Sequence, residues 1–367
     1  MFSFFRKFRY FDVPLHIVAF LIAIAGLALL YSTSIVGDAG TSIFWRQALF
    51  FAVGAIAYFF FAFFDYHTLA KANRILYVAL VGILFYLLIF GSLIRGGRRW
   101  VSVGLFSLQP AEFAKLIVLL GLARLLYLQR GKINSWKSIA WSFLYALIPA
   151  ALIVVEPDLG STLVIVSIWA GILLISPIQK KYLAVLFIAF VLVSGITWKF
   201  FLKDFQRARI EVFLNPALDP KGRGYNVRQA TIAVGSGQIF GSGLGKGMQS
   251  ENKFLPEMQT DFIFAASSEE IGFLGCSVLL ALYFFLFMRL ILISRKAKDD
   301  LGMYIAGGVF FLLFVHVIIN VGMNIGMLPV TGIPLPFFSA GGSSLIVTLS
   351  ALGIVQNVAI QSKALRF

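Results

Sequence analysis

Apolar runs close to the twenty residues a helix needs to cross a bilayer recur along the whole chain, separated by polar segments. They predict transmembrane helices over residues 14–34, 44–64, 75–94, 110–129, 138–155, 159–177, 181–201, 261–288, 301–323 and 343–361. The implied fold class is all-α: a polytopic membrane protein with about ten transmembrane helices and one large loop, residues 200–260, between helices 7 and 8. An even number of crossings returns both termini to one side. Nothing along the chain reads as a soluble domain, a tandem repeat or a low-complexity tract. Residues 1–367 therefore read as a single transmembrane domain with the long loop as an insertion. The first apolar run has no convincing small-residue cleavage site and reads as a retained helix rather than a signal peptide.

Composition sharpens this picture. Hydrophobic residues make up 60% of the chain and charged ones 13%, and the 39 Phe exceed what a soluble core of this size holds. The net charge of +15 is mainly a topology signal. Short loops on the terminal side carry a run of cations, from Arg6, Lys7 and Arg9 to Lys363 and Arg366. Only Asp12, Asp65, Asp299 and Asp300 oppose them there. By the positive-inside rule both termini are cytoplasmic and the long loop is extracellular. The charge suits anionic membrane lipids and calls for no nucleic acid. The single Cys276 excludes a disulfide framework. His16, His67 and His316 are too dispersed for a metal-ligand pattern and read as structural or interfacial.

With that topology the unusual residues gather on the outer face. Glu112 and Lys115 are three apart on the fourth helix and share a face, so they pair, either to lock helices together or to position a substrate. In Glu156-Pro157-Asp158, Asp158 reads either as the cap of the sixth helix or as a group facing an outer cavity, where it holds a cation or an arginine. Two glycine clusters, 235–237 and 241–247, resemble a phosphate cradle but miss the P-loop spacing. A re-entrant or turn-rich loop is the competing reading, with Lys246 as a pyrophosphate contact in the first. Arg98, Arg99, Arg207, Arg209, Arg223 and Arg228 are loop cations suited to an anionic ligand, or simply solvated. Glu269 and Glu270 lie about 12–13 Å deeper than Asp261 along the eighth helix.

Asp261 is the most telling position. It ends Leu255-Pro256-Glu257-Met258-Gln259-Thr260 and sits where the long loop re-enters the bilayer. A carboxylate there is costly, roughly 2.5–3.5 kcal/mol at the bilayer centre and less near the interface. Apart from capping the helix, it can meet a hydroxyl from the aqueous loop while a lipid tail stays in the membrane.

These motifs resemble the SEDS family (shape, elongation, division and sporulation), in particular its RodA branch. The resemblance is carried by Gly96-Gly97-Arg98-Arg99-Trp100, Gln109-Pro110-Ala111-Glu112-Phe113-Ala114-Lys115, and Glu156-Pro157-Asp158-Leu159-Gly160. Phe213-Leu214-Asn215-Pro216, Gly224-Tyr225-Asn226 and Thr260-Asp261-Phe262-Ile263-Phe264-Ala265 add to it. So does a C-terminal signature from Asn320 to Ser339-Ala340-Gly341-Gly342-Ser343-Ser344. Two positions depart from the family pattern: Ala340 replaces a frequent Tyr, and Glu156 a frequent Gln.

The resemblance implies a peptidoglycan glycosyltransferase that polymerises lipid II on the outer face of the bacterial cytoplasmic membrane, working with a class B penicillin-binding protein. A sugar hydroxyl is a poor nucleophile, so Asp261 is expected as general base. Arg98, Arg99, Lys115, Glu112, Asp158, Arg207, Arg209, Lys246, Ser343 and Ser344 are the expected substrate contacts. An α-linked donor giving a β-linked product needs one inverting displacement and no second nucleophilic carboxylate. Cationic side chains or a divalent metal, Mg²⁺ or Mn²⁺, can neutralise the pyrophosphate. Asp261 and Asp158 are the metal's candidate ligands, and no organic cofactor is called for. Two rival roles stay open at this point: a lipid II flippase, and a scaffold or activator of the penicillin-binding protein.

Overall fold

The computed structural model describes residues 9–36, 41–91, 99–103, 106–200, 204–220, 222–247, 254–255 and 257–364. Ten long helices among them coincide with the ten expected spans. They are α1 (Val13–Val36), α2 (Ser42–Phe63), α3 (Tyr66–Phe90), α4 (Pro110–Leu128) and α5 (Trp136–Val155). After α6 (Leu159–Ile175) and α7 (Lys180–Phe200) come two shorter helices, α8 (Asp204–Leu214) and α9 (Arg223–Ser236). The last three are α10 (Ile263–Arg295), α11 (Asp300–Asn324) and α12 (Gly342–Ala364). Seven of the ten are long and apolar enough by themselves to cross a membrane. Of the others, α4 carries Glu112, Lys115 and Arg124, and α6 has only 17 residues. The chain is a polytopic, nearly all-helical membrane protein. The departure from all-α is a small antiparallel hairpin, β1 (Val101–Val103) with β2 (Phe106–Leu108).

Local chemistry starts several helices as the sequence requires. Asp65, Ser135, Asp158 and Asp299 each accept a hydrogen bond from the backbone N–H three residues on, at the N-termini of α3, α5, α6 and α11. Pro110 opens α4, where its missing N–H costs nothing. Exposed Phe, Ile and Leu line the outward faces of α1, α2, α3 and α10, as a lipid-facing surface demands. In contrast, α12 is buried along nearly its whole length. It lies close along α2 because small residues let the backbones approach. A Cβ at Gly353 would stand 2.4 Å from the Tyr58 carbonyl oxygen.

The long connection between α7 and α10 is more structured than a loop. Past α9 the chain turns back and docks against a break in α10 at Gly272, whose φ of 65° and ψ of −170° are not helical. The interrupted ladder is repaired from the docked segment. Phe273 and Leu274 N–H donate to the carbonyls of Gln238 and Ile239, while Ser242 and Gly243 N–H donate to those of Glu269 and Glu270. Irregular backbone at membrane depth survives only when satisfied in this way. Beside the break, Ser32 on α1 donates to the Glu270 carboxylate at 2.7 Å. The chain enters and leaves at one end of the bundle, since Lys363 Nζ donates to the Phe11 carbonyl at 3.2 Å.

Candidate functional site

At the other end of the bundle, the starts of α4, α6, α10 and α12 surround a cavity of about 360 Å³. Asp261 lies on its wall, in a turn where its own N–H and that of Phe262 both donate to the Glu257 carbonyl. Phe262, not Asp261, occupies the N-cap position of α10. Two asparagines one turn apart on α11 fix this turn. Asn320 Nδ2 and Asn324 Nδ2 each donate to the Asp261 carbonyl oxygen at 3.0 Å. The segment before α12 holds it from another side: Ser339 Oγ donates to the Thr260 carbonyl, and Ala340 N–H to that of Gln259. Gln47 on α2 then anchors that segment, donating to the Ser339 carbonyl and accepting from Gly341 N–H. The carboxylate is thus carried on a backbone fixed by α11 and by the segment before α12, which α2 anchors in turn.

Deeper in the cavity, Lys115 Nζ donates to Glu112 Oε1 at 2.6 Å and lies 3.1 Å from His316 Nε2. All three side chains are buried. His316 Nδ1 is 2.6 Å from the Leu312 carbonyl, so it carries the proton, and the Nε2 lone pair accepts from the ammonium. Lysine has three N–H donors; two are engaged here, leaving one for the cavity. Beyond this trio α4 and α11 bring Leu119, Leu122, Val309 and Leu312 together, all buried, so the polar lining ends there.

Asp158 closes another side. Its carboxylate accepts from Ser161 N–H and Ser161 Oγ, which is helix capping, and from Gln109 Nε2 at 2.9 Å. Gln109 N–H donates to Ser343 Oγ, tying the start of α4 to that of α12. Arg99 does not pair with Asp158. It donates to the carbonyl oxygens of Glu156 and Pro157, at 2.6 and 2.7 Å, and pins the turn between α5 and α6. The Glu156 carboxyl is buried with no hydrogen-bond partner among the described residues. Burial first, and then the neighbouring Asp158 charge, push it up to about 7, against a smaller downward pull from Arg99.

Of the residues singled out in the sequence, the cavity brings together Arg99, Glu112, Lys115, Asp158, Asp261, Ser343 and Ser344. Lys246 is not in its lining. It is exposed on the segment docked at the α10 break, and the Ser242 and Gly243 amides of the supposed phosphate cradle are spent on helix carbonyls. The re-entrant reading of that segment is the one the structure supports. Arg207 and Arg209 belong to α8, and Arg207 does not line the cavity. The Arg209 side chain and all of Arg98 lie outside the described residues.

No cluster of three or more His, Cys, Asp or Glu able to hold a metal occurs among the described residues. Asp158 already accepts three hydrogen bonds, and Glu112 is paired with Lys115. With no such cluster, a divalent cation at this site would be one shared with substrate phosphates, the mode Mg²⁺ favours, with Asp158 and Asp261 the expected ligands that line the cavity. Asp158 serves as the cap of α6 and also lines the cavity, so its two readings from the sequence are compatible. Three further residues, His316, Asn320 and Asn324, touch the site in ways the sequence alone did not assign. His316 gave no signal because its partner is 201 positions away. Asn320 and Asn324 did give one: two amides four apart on an apolar helix are costly unless they hold something.

Comparison with known proteins follows the same lines. The family model for FtsW, RodA and SpoVE, described as cell cycle protein, matches residues 13–364. The peptidoglycan glycosyltransferase MrdB of Escherichia coli K12 is 38% identical over 291 residues, covering 79% of this chain and 78% of that one. Stage V sporulation protein E of Bacillus subtilis is also 38% identical, over 362 residues, covering 96% and 98%. Among solved structures, a chain from a peptidoglycan synthase complex that coordinates polymerization and crosslinking superposes with a TM-score of 0.81. It is 29% identical, covering 96% of this chain and 98% of that chain.

Proposed function

The chain belongs to the FtsW/RodA/SpoVE family, and from that premise we propose that it is a peptidoglycan glycosyltransferase, polymerising lipid II during cell elongation. The observation that carries the reading is the placement of Asp261. It shares a cavity with the cations Arg99 and Lys115, at the end of a membrane helix bundle. A lipid-linked substrate presents its sugar and pyrophosphate there while its tail stays among the helices.

In the proposed step the C4 hydroxyl of an acceptor N-acetylglucosamine gives its proton to the Asp261 carboxylate. Its oxygen attacks C1 of the donor N-acetylmuramic acid from the face opposite the pyrophosphate. The new O4–C1 bond forms as the C1–O bond to undecaprenyl pyrophosphate breaks, with inversion. A positioned general base contributes about 10²–10⁴-fold. The remaining Lys115 N–H and the Arg99 guanidinium offset the charge that develops on the pyrophosphate. A divalent cation held by Asp261 and the phosphate oxygens would supply the same neutralisation. Asn320 and Asn324 position the base by fixing its backbone.

Positive charge on the short terminal-side loops orients the cavity outward and both termini to the cytoplasm of a bacterial inner membrane. The neighbouring synthase complex supports a crosslinking penicillin-binding protein of class B as partner. The apolar packing below Lys115 favours an enzyme over a headgroup path through the membrane. Purified protein given labelled lipid II tests the proposal. Glycan strands on a gel are expected from the native chain and not from folded Asp261→Asn. Normal polymer from that variant would remove Asp261 from its role, and translocation without polymer would replace the enzyme by a flippase.

A further inference from the structure

A second cavity, of about 130 Å³, lies at the end of the bundle that carries the chain termini. Arg289, on α10, is 28 residues past Asp261, or about 40 Å along a helix, so the two cavities lie in opposite leaflets. The second is lined by Asp12, Arg289, Lys296 and Lys363 together with Leu292, Ile293 and Ala359. Asp12 is buried and organises the cations. Arg289 donates to both of its carboxylate oxygens, at 3.2 and 2.5 Å, and Lys363 Nζ stands 3.4 Å from one of them. Three cations against one acid leave two positive charges in excess. Lys296 is exposed at the mouth.

The surface leading away from the cavity toward the membrane centre is apolar. On α10 the positions Phe285, Met288 and Leu292 follow one stripe, and Phe285 and Met288 are 45% and 42% exposed. On neighbouring α1, Val13 and Ile17 are 49% and 47% exposed. A cationic notch at interfacial depth with a greasy stripe running inward from it has the shape of an amphiphile. The notch, at about 130 Å³ and open to one side, has room for a phosphate group. Basic pockets between membrane helices bind anionic headgroups by this chemistry.

We propose that this cavity is a binding site for the phosphate of an anionic phospholipid in the leaflet on the side of the termini. Lys296, Lys363 and the outer edge of Arg289 hold the phosphate, and one acyl chain lies along Phe285 and Met288. Asp12 keeps the arginine and Lys363 in place. Because no residue of the Asp261 cavity takes part, the proposal stands or falls apart from the catalytic reading.

The test is native mass spectrometry of the delipidated full chain, titrated with phosphatidylglycerol, phosphatidylcholine, a polyprenyl phosphate or inorganic phosphate. Phosphatidylglycerol should bind preferentially. Its affinity should fall about fivefold for Lys296→Gln and about thirtyfold for Lys296→Gln with Lys363→Gln. The single variant leaves the Asp12–Arg289 pair intact and keeps the fold, so its loss of affinity is read directly. Equal binding of phosphatidylcholine, or affinity unchanged in both variants, would overturn the proposal. Stronger retention of the polyprenyl phosphate or of inorganic phosphate would overturn the assignment to a phospholipid.

Discussion

Replacing Glu156 by Gln should stabilise the protein, and the gain should grow with pH. The Glu156 carboxyl is 2% exposed, its oxygens accept no hydrogen bond from a described group, and Asp158 lies beside it. These conditions push it from 4.5 to about 7 in the folded protein. A carboxyl raised on folding binds more protons in the native than in the unfolded state between those values. Stability therefore falls as pH rises through that window, and the full penalty is present above about pH 7. The rise from 4.5 to about 7 corresponds to about 3 kcal/mol at high pH, and to about 1 kcal/mol at about pH 5. The amide keeps the shape and never ionises, so Glu156→Gln should lead the native chain by about 2 kcal/mol more at about pH 8.5 than at about pH 5. Equilibrium unfolding in mixed micelles of rising denaturing detergent, at both pH values, measures this gap. A gap independent of pH, or one that narrows as pH rises, would refute the burial argument.

Other expectations follow from the same geometry. Lys115→Met leaves Glu112 as an unpaired buried charge and should cost about 3–5 kcal/mol in the same unfolding assay. Adding Glu112→Gln should restore most of that stability while polymerisation stays lost. Gly272→Ala puts a side chain at positive φ, worth about 1–2 kcal/mol of strain, with its Cβ 2.2 Å from Gly241 N. It should loosen the docked segment, read as faster amide exchange at Ser242 and Gly243. Gly353→Leu drives a branched side chain at the Tyr58 carbonyl and should lower the unfolding midpoint by separating α2 from α12, at about 1–3 kcal/mol or more. A midpoint equal to that of the native chain would show that the two helices do not approach so closely.

What the sequence settled by itself was set by solvent. Apolar runs of bilayer length have one low-energy answer, a helix, so the ten long helices were legible span by span, within a few residues at most ends. The α3 start at Tyr66 is the largest miss, because polar Lys71, Asn73 and Arg74 shorten the apolar run. A carboxylate at the lip of a span is costly wherever the chain goes, and this marks Asp261 without reference to any contact. Pairings within one helical turn, such as Glu112 with Lys115, follow from the 3.6-residue repeat. Only the tertiary structure could decide which distant groups meet. His316 reaches Lys115 across 201 positions, and Asn324 reaches the Asp261 carbonyl across 63. The glycine cluster at 241–247 was ambiguous for a physical reason. A free amide and one that repairs a broken helix have the same sequence, and what separates them is the partner carbonyl, here on Glu269 and Glu270 of another segment. Hydrophobicity fixes where a chain lies in a membrane, whereas the satisfaction of buried polar groups is a property of the assembled bundle.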